Sequence, residues 1–354
     1  MRNALKDIAL QVENVLRNDV FHQHLPLDFM GVAVRDYPLR GGKRLRPALL
    51  MWCCGLLGGK LDSALYPACA AEVFHNWTLV HDDIIDRDDF RRGVPTCHKQ
   101  LQTMAMAQYK LADSEAARFG QDFAILAGDW QQGWANSLLL QAAEHGVPAD
   151  VTLALAKRMQ EFTNRELIAG EALDVEFSYR GVEQVSAAEV ERMMAGKTGV
   201  LLQFCAESGA MIALNDVKRE RPETLALGRM AMAAAIAFQL RDDYLGVFGN
   251  AGFGKPLGAD LSERKATLLL LKAFELLSDA GKKSLNGLLG KTVYDENDLG
   301  QIQALFIECG AADFVCRRAE ELTGQAVAEL EALPENQYKK YLSEFIVFMC
   351  GREV

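Results

Sequence analysis

Apolar residues recur at three- and four-residue spacing along almost the whole chain, and alternating runs of β-branched residues are scarce. That period belongs to helices with one buried stripe, not to strands. An all-α fold is therefore expected. Helices are expected at 3–21, from near Lys43, and at about 63–87, 99–118, 121–145, 149–178, 187–214, 222–248 and 263–280. A C-terminal group should follow at 297–309, 311–332 and 336–350. Breaks fall at Arg40-Gly41-Gly42, Gly146-Val147-Pro148 and Gly249-Asn250, where Gly, Pro and Asn punctuate the pattern. With 354 residues, half of them hydrophobic, there is material for a large core. No linker or repeat interrupts it, so residues 1–354 are expected to form one domain, a single large helical bundle. Sites in such bundles are built from side chains on facing helices.

One stretch carries the chemistry. From Phe74 to Thr96 (FHNWTLVHDDIIDRDDFRRGVPT) an apolar helical run ends in carboxylates and is followed by Arg91 and Arg92. Asp82 and Asp86 are four apart, so on a helix they share a face about 6 Å apart along the axis. Asp83 is turned about 100° away. Two carboxylates on one face repel unless a cation sits between them, and oxygen-only ligands suit Mg²⁺ better than zinc or copper. Paired arginines present forked donors that match phosphate oxygens. A single acidic run with trailing arginines also fits a solvated helix end. A second one changes the balance: FQLRDDYLG places Asp242 and Asp243 on another apolar helix, with Lys255 and Lys265 beyond it.

Charge and composition remove other classes. A net charge of −10 argues against nucleic-acid binding through a basic surface, so any phosphate must be met by local basic clusters. The N-terminus is amphipathic and charged, unlike a signal peptide, and no run of 18 apolar residues suggests a membrane span. The eight cysteines form no CxxC pair and sit mostly in apolar runs, as reduced thiols in a cytoplasmic protein would.

Gly41-Gly42-Lys43-Arg44-Leu45-Arg46-Pro47 opens the second helix. The glycines permit close approach of backbone to a ligand, and Lys43 and Arg46 lie on one face. Cations at a helix N-terminus oppose its dipole, a conflict that a bound anion resolves. A solvated helix start is the alternative. His75, two turns before Asp82, shares the aspartate face and suits a phosphate contact, whereas His81 points elsewhere on the wheel.

GGKRLRP, HDDIIDRDDFRRGVPT, Gly196-Lys197-Thr198, FQLRDDYLG and GKPLGADLSERKATLL, in this order, resemble the trans-isoprenyl diphosphate synthases. That is the polyprenyl synthase family, which includes farnesyl and geranylgeranyl diphosphate synthases. Weaker likenesses at Phe123–Asp129, Gly170–Asp174 and Ile307–Ala311 extend the match over nearly the whole chain. The resemblance implies an all-helical bundle around a central cavity, usually dimeric. It implies that Lys43, Arg46, His75 and Arg92 hold the diphosphate of isopentenyl diphosphate. Arg91, Lys197, Thr198, Gln239, Lys255 and Lys265 would surround an allylic diphosphate. Asp82, Asp86 and Asp242 would bind three Mg²⁺, with Asp83 behind them. Asp82, Asp83, Asp86, Arg91, Lys197 and Asp242 would thus carry catalysis. In the family the departing diphosphate is thought to take the proton, so no side-chain base is nominated.

Departures from the family pattern are Gly246 where a third aspartate often stands, Glu171 where glutamine is commoner, and the unusually polar Gln131 and Gln132. With Gly246, the second motif should bind metal mainly through Asp242. In the family, bulky residues four and five positions before the first aspartate close the cavity under the growing chain. Here these are Thr78 and Trp77, with Phe74 about 12 Å from Asp82 as a second floor. Core packing explains the aromatics equally well. The pattern resembles enzymes that stop at geranylgeranyl diphosphate, with farnesyl diphosphate as the alternative. A class I terpene cyclase would leave GGKRLRP and Arg92 without a purpose. A non-catalytic partner subunit would be expected to have lost aspartates or arginines of the first motif.

Overall fold

The computed structural model describes residues 1–23, 25, 27–249 and 257–351. Helix dominates, and among the described residues the only sheet is a hairpin in which Phe90–Arg91 pairs with Val94–Pro95. Among the described residues, no single helix is long and apolar enough to cross a membrane. All eight cysteines are free thiols.

Contacts gather the chain into two compact units. The first comprises Met1–Arg158, Cys205–Thr224 and Asn336–Tyr338; the second comprises Met159–Phe204, Leu225–Glu335 and Lys339–Val354. At the centre of the first unit, helix Leu61–Ile85 packs against Leu45–Leu56 and Asp113–Gln141. It buries Ala64, Ala68 and Ala71, small residues that let a neighbouring helix come close, and then Phe74 and Trp77, which fill space further along. Gln131, without a role in the sequence reading, is fully buried and donates to the carbonyl of Val34 at 2.9 Å. It ties Asp113–Gln141 to helix Asp28–Leu39. In the second unit, helix Arg165–Arg180 packs on the turn Ala195–Gly199, and Leu268–Leu276 packs on Ala311–Glu331.

Several boundaries differ from the periodic reading for identifiable reasons. Helices Asp28–Leu39 and Asp279–Leu288 were not expected, since Gly31, Pro38, Gly281 and Gly287 argue against them; tertiary packing overrides propensity. The expected 99–118 helix straddles a break. Cys97–Tyr109 ends at Lys110, which turns left-handed (φ 57°) with no glycine to announce it, and the next helix starts at Asp113. The expected 149–178 and 187–214 helices each contain a wider π-helical turn, at Arg158–Asn164 and Ala195–Gly199. Hydrophobic period alone does not mark such a turn.

Candidate active site

In the first unit, helix Leu61–Ile85 ends in the first aspartates, as its sequence suggested. Asp82 and Asp86 bring carboxylate oxygens within 4.8 Å of each other. Asp83 goes the other way. It is fully buried, accepts from Arg91 Nε at 2.8 and 3.0 Å, and accepts from the Tyr37 hydroxyl. Tyr37 in turn accepts the backbone N–H of Cys97 at 3.1 Å, and burial together with the Asp83 charge pushes its phenol pKa up. Arg91 reaches Asp82 as well, at 3.4 Å. Burial works against the Arg91 charge, but the bonds and charge of Asp83, helped by Asp82, outweigh it and raise its pKa. Arg91 therefore holds the hairpin against the aspartates as a permanent cation.

Beside this lies a group of basic side chains of another kind. Gly41 and Gly42 take φ values of 90° and 146°, open only to glycine without strain, and Arg44 follows at φ 49° before helix Leu45–Leu56 begins. A Cβ on Gly42 would sit 3.2 Å from the Arg92 guanidinium, so the missing side chain gives Arg92 its place. Among the described residues, Arg46, His75 and Arg92 form no ion pair, and Arg46 Nε is buried without an acceptor. Burial lowers the Arg46 pKa and outweighs the nearby Glu72 charge, which opposes it. Burial and then the charges of Arg46, Arg91, Arg92 and Arg44 hold His75 well below the usual imidazole range, so its ring is neutral. Like charges gathered this closely call for an anion with several oxygens. Lys43 is exposed at the same turn.

The aromatics lie deeper. Phe74 is fully buried and meets Trp77 edge-on at 4.9 Å, while the Thr78 hydroxyl donates back to the His75 carbonyl at 2.8 Å. His81 lies 3.2 Å from the Ile125 carbonyl, a contact between helices.

In the second unit, the π-helical turn Ala195–Gly199 carries Lys197 and Thr198. Lys197 Nζ lies 2.7 Å from Asp174 and 2.9 Å from Glu171, and Lys265 is 3.4 Å from the same Asp174. Burial opposes the Asp174 charge, but the two lysines prevail and lower its pKa. Gly170 makes this possible: a Cβ there would meet the backbone nitrogen of Lys197 at 2.2 Å. Gly170→Ala is accordingly expected to cost about 1–3 kcal/mol and to displace Lys197. A lower urea midpoint would bear this out, and an unchanged midpoint would refute it. Thr198 Oγ1 donates to Gln239 at 3.3 Å, and Gln239 donates to Asp243 at 2.9 Å. Asp243 is buried, and burial together with Asp260 raises its pKa to about 8; Asp242, next to it, is half-exposed. A Cβ on Gly246 would lie 3.5 Å from the Asp260 carboxylate. Lys255 lies outside the described residues.

The sequence profile of polyprenyl synthetase matches residues 31–306. A geranylgeranyl pyrophosphate synthase from Geoglobus acetivorans is 32% identical over 321 residues, 91% of this chain and 90% of the relative. The chain belongs to the polyprenyl synthetase family. As a polyprenyl synthetase it is an all-α prenyltransferase enzyme. A farnesyl diphosphate synthase from Geobacillus stearothermophilus is 36% identical over 247 residues, 69% of this chain and 73% of that one. Among solved structures, a geranylgeranyl pyrophosphate synthase from Corynebacterium glutamicum, complexed with isoprenyl diphosphate and magnesium, superposes with a TM-score of 0.84 at 28% identity. That likeness covers 99% of this chain and 98% of the other.

In this polyprenyl synthetase the structure gathers Arg46, His75, Asp82, Asp83, Asp86, Arg91 and Arg92 in one unit. It gathers Lys197, Thr198, Gln239, Asp242 and Lys265 in the other. Sequence reasoning did not single out Tyr37, Arg44, Glu72 or Asp174 as site residues. Asp174 lies in a stretch noticed for its family likeness, but nothing linear pairs it with a lysine 23 residues on.

Proposed function

We propose that this prenyltransferase condenses isopentenyl diphosphate with an allylic diphosphate to give a short all-trans product, geranylgeranyl diphosphate. In this reading residues 1–354 act as one synthase domain, as a homodimer in the cytoplasm. The observation that carries it lies within the first unit, where an oxygen-only acid pair stands beside Arg46, His75 and Arg92, three basic side chains that form no ion pair among the described residues. Lys43, Arg46, His75 and Arg92 would hold the diphosphate of isopentenyl diphosphate. Lys197, Lys265, Thr198 and Gln239 would meet the allylic diphosphate, together with Arg91. The donor set of Asp82 and Asp86, carboxylate oxygens only, fits Mg²⁺, and with Asp242 it would hold three ions. A Mg²⁺ held there would supply positive charge to offset that growing on the departing diphosphate. Phe74 and Trp77 supply an apolar wall that keeps water from the allylic cation.

The test is incubation of the purified chain with isopentenyl diphosphate, each allylic primer in turn and Mg²⁺, followed by chromatography of the dephosphorylated products. A C20 alcohol is expected. A C15 alcohol would make it a farnesyl diphosphate synthase, and a cyclic hydrocarbon or no product would overturn the reading. Trp77→Ala should lengthen the product, because Trp77 is only 7% exposed and rests edge-on against Phe74. An unchanged product from this variant would move the floor to Phe74.

A further inference from the structure

Arg44 is the anomaly of the anion-binding turn. It is the one basic residue of Lys43-Arg44-Leu45-Arg46 that is buried, at 3% exposure, and its backbone is left-handed at φ 49°. A side chain other than glycine resists that conformation and keeps it only where its surroundings impose it. Here they do. Arg44 Nη1 donates to Glu72 Oε1 at 2.6 Å, and Nη2 donates to the carbonyl of Pro38, at the end of helix Asp28–Leu39. Glu72 is itself buried on helix Leu61–Ile85, three residues before His75. Its own carbonyl accepts from Asn76 at 2.6 Å.

We propose that Arg44 and Glu72 are positioning residues for the isopentenyl diphosphate site. Their ion pair locks the Gly41–Arg46 turn to the helix that carries His75 and the aspartates, and neither residue touches the anion. The pairing explains why two arginines two residues apart differ: Arg44 pairs directly with Glu72, while Arg46 forms no ion pair among the described residues. It also explains the left-handed residue. Without the lock, Arg44 would relax toward ordinary helical or extended backbone, and the turn would carry Lys43 and Arg46 away from Arg92 and His75.

The inference rests on the diphosphate assignment above, so the experiment separates the two. Glu72→Gln keeps the shape and removes the charge, and Arg44→Lys keeps the charge and loses the fork. Each should weaken binding of isopentenyl diphosphate, followed calorimetrically and as KM, by up to about a hundredfold. The KM for the allylic substrate and kcat at saturation should stay within about twofold. Arg44→Gly removes the backbone strain as well as the lock, and should show the same loss even if Glu72→Gln fails to fold. Arg46→Ala is the control: intact affinity in that variant would mean that the anion assignment itself is wrong. Lost affinity in Arg46→Ala with wild-type affinity in Glu72→Gln and Arg44→Gly would overturn the positioning role alone. A parallel fall in affinity for both substrates that follows loss of thermal stability would also overturn it.

Discussion

Asp82→Ala is expected to lower turnover by about a thousandfold while leaving the helical fold intact. Asp82 is a fifth exposed and lies at the end of its helix, so its loss opens no buried space. Arg91 is not stranded either, because its main partner is Asp83. What disappears is one of two carboxylates whose oxygens approach within 4.8 Å. Without Asp82, the site should need far more Mg²⁺ to support the same chemistry. Diphosphate release from the substrate pair, with far-ultraviolet circular dichroism on the same sample, checks both halves. Full activity without Asp82 would refute the metal assignment.

Asp83→Ala should show the reverse profile, with stability lost first. Asp83 is fully buried between Tyr37 and Arg91, and removing it leaves a buried hydroxyl without its acceptor and a largely buried guanidinium with only the longer contact to Asp82. Breaking a buried pair in this way costs about 3–5 kcal/mol. Arg91 keeps 22% of its side chain in water, which places the expectation near the lower end. The exposed pair Arg118–Asp122, at 3.9 Å, offers the contrast: Asp122→Ala should change stability by less than about 1 kcal/mol. Urea midpoints of the two variants decide the matter, and equal midpoints would mean that the Tyr37–Asp83–Arg91 group holds nothing together.

The adjacent aspartates show how much could be read from letters alone. Helical period separates Asp82 and Asp86 from Asp83, and the structure keeps that separation, with two oxygens gathered outward and one carboxylate buried. The same arithmetic could not say what Asp83 meets. Tyr37 is 46 residues away and joins it only through the packing of helix Asp28–Leu39, which Gly31 and Pro38 hide from a propensity reading. Arg44 was hidden differently. Its neighbours Lys43 and Arg46 advertise an anion, and only the fold reveals that the residue between them is committed to Glu72. Asp174 was legible as part of a stretch but not as the partner of Lys197, since a wide turn decides where that lysine falls.

That wide turn at Ala195–Gly199 also bears on how the chain tolerates insertion and deletion. A π-helical turn holds one residue more than an α-helix needs for the same hydrogen-bonding path. Deleting Thr198 could therefore be absorbed by closing the wide turn to an α-helical one, with the side chains on either side kept near their present register. What such a deletion would cost is the position of Lys197, which the wide turn sets beside Asp174 and Glu171.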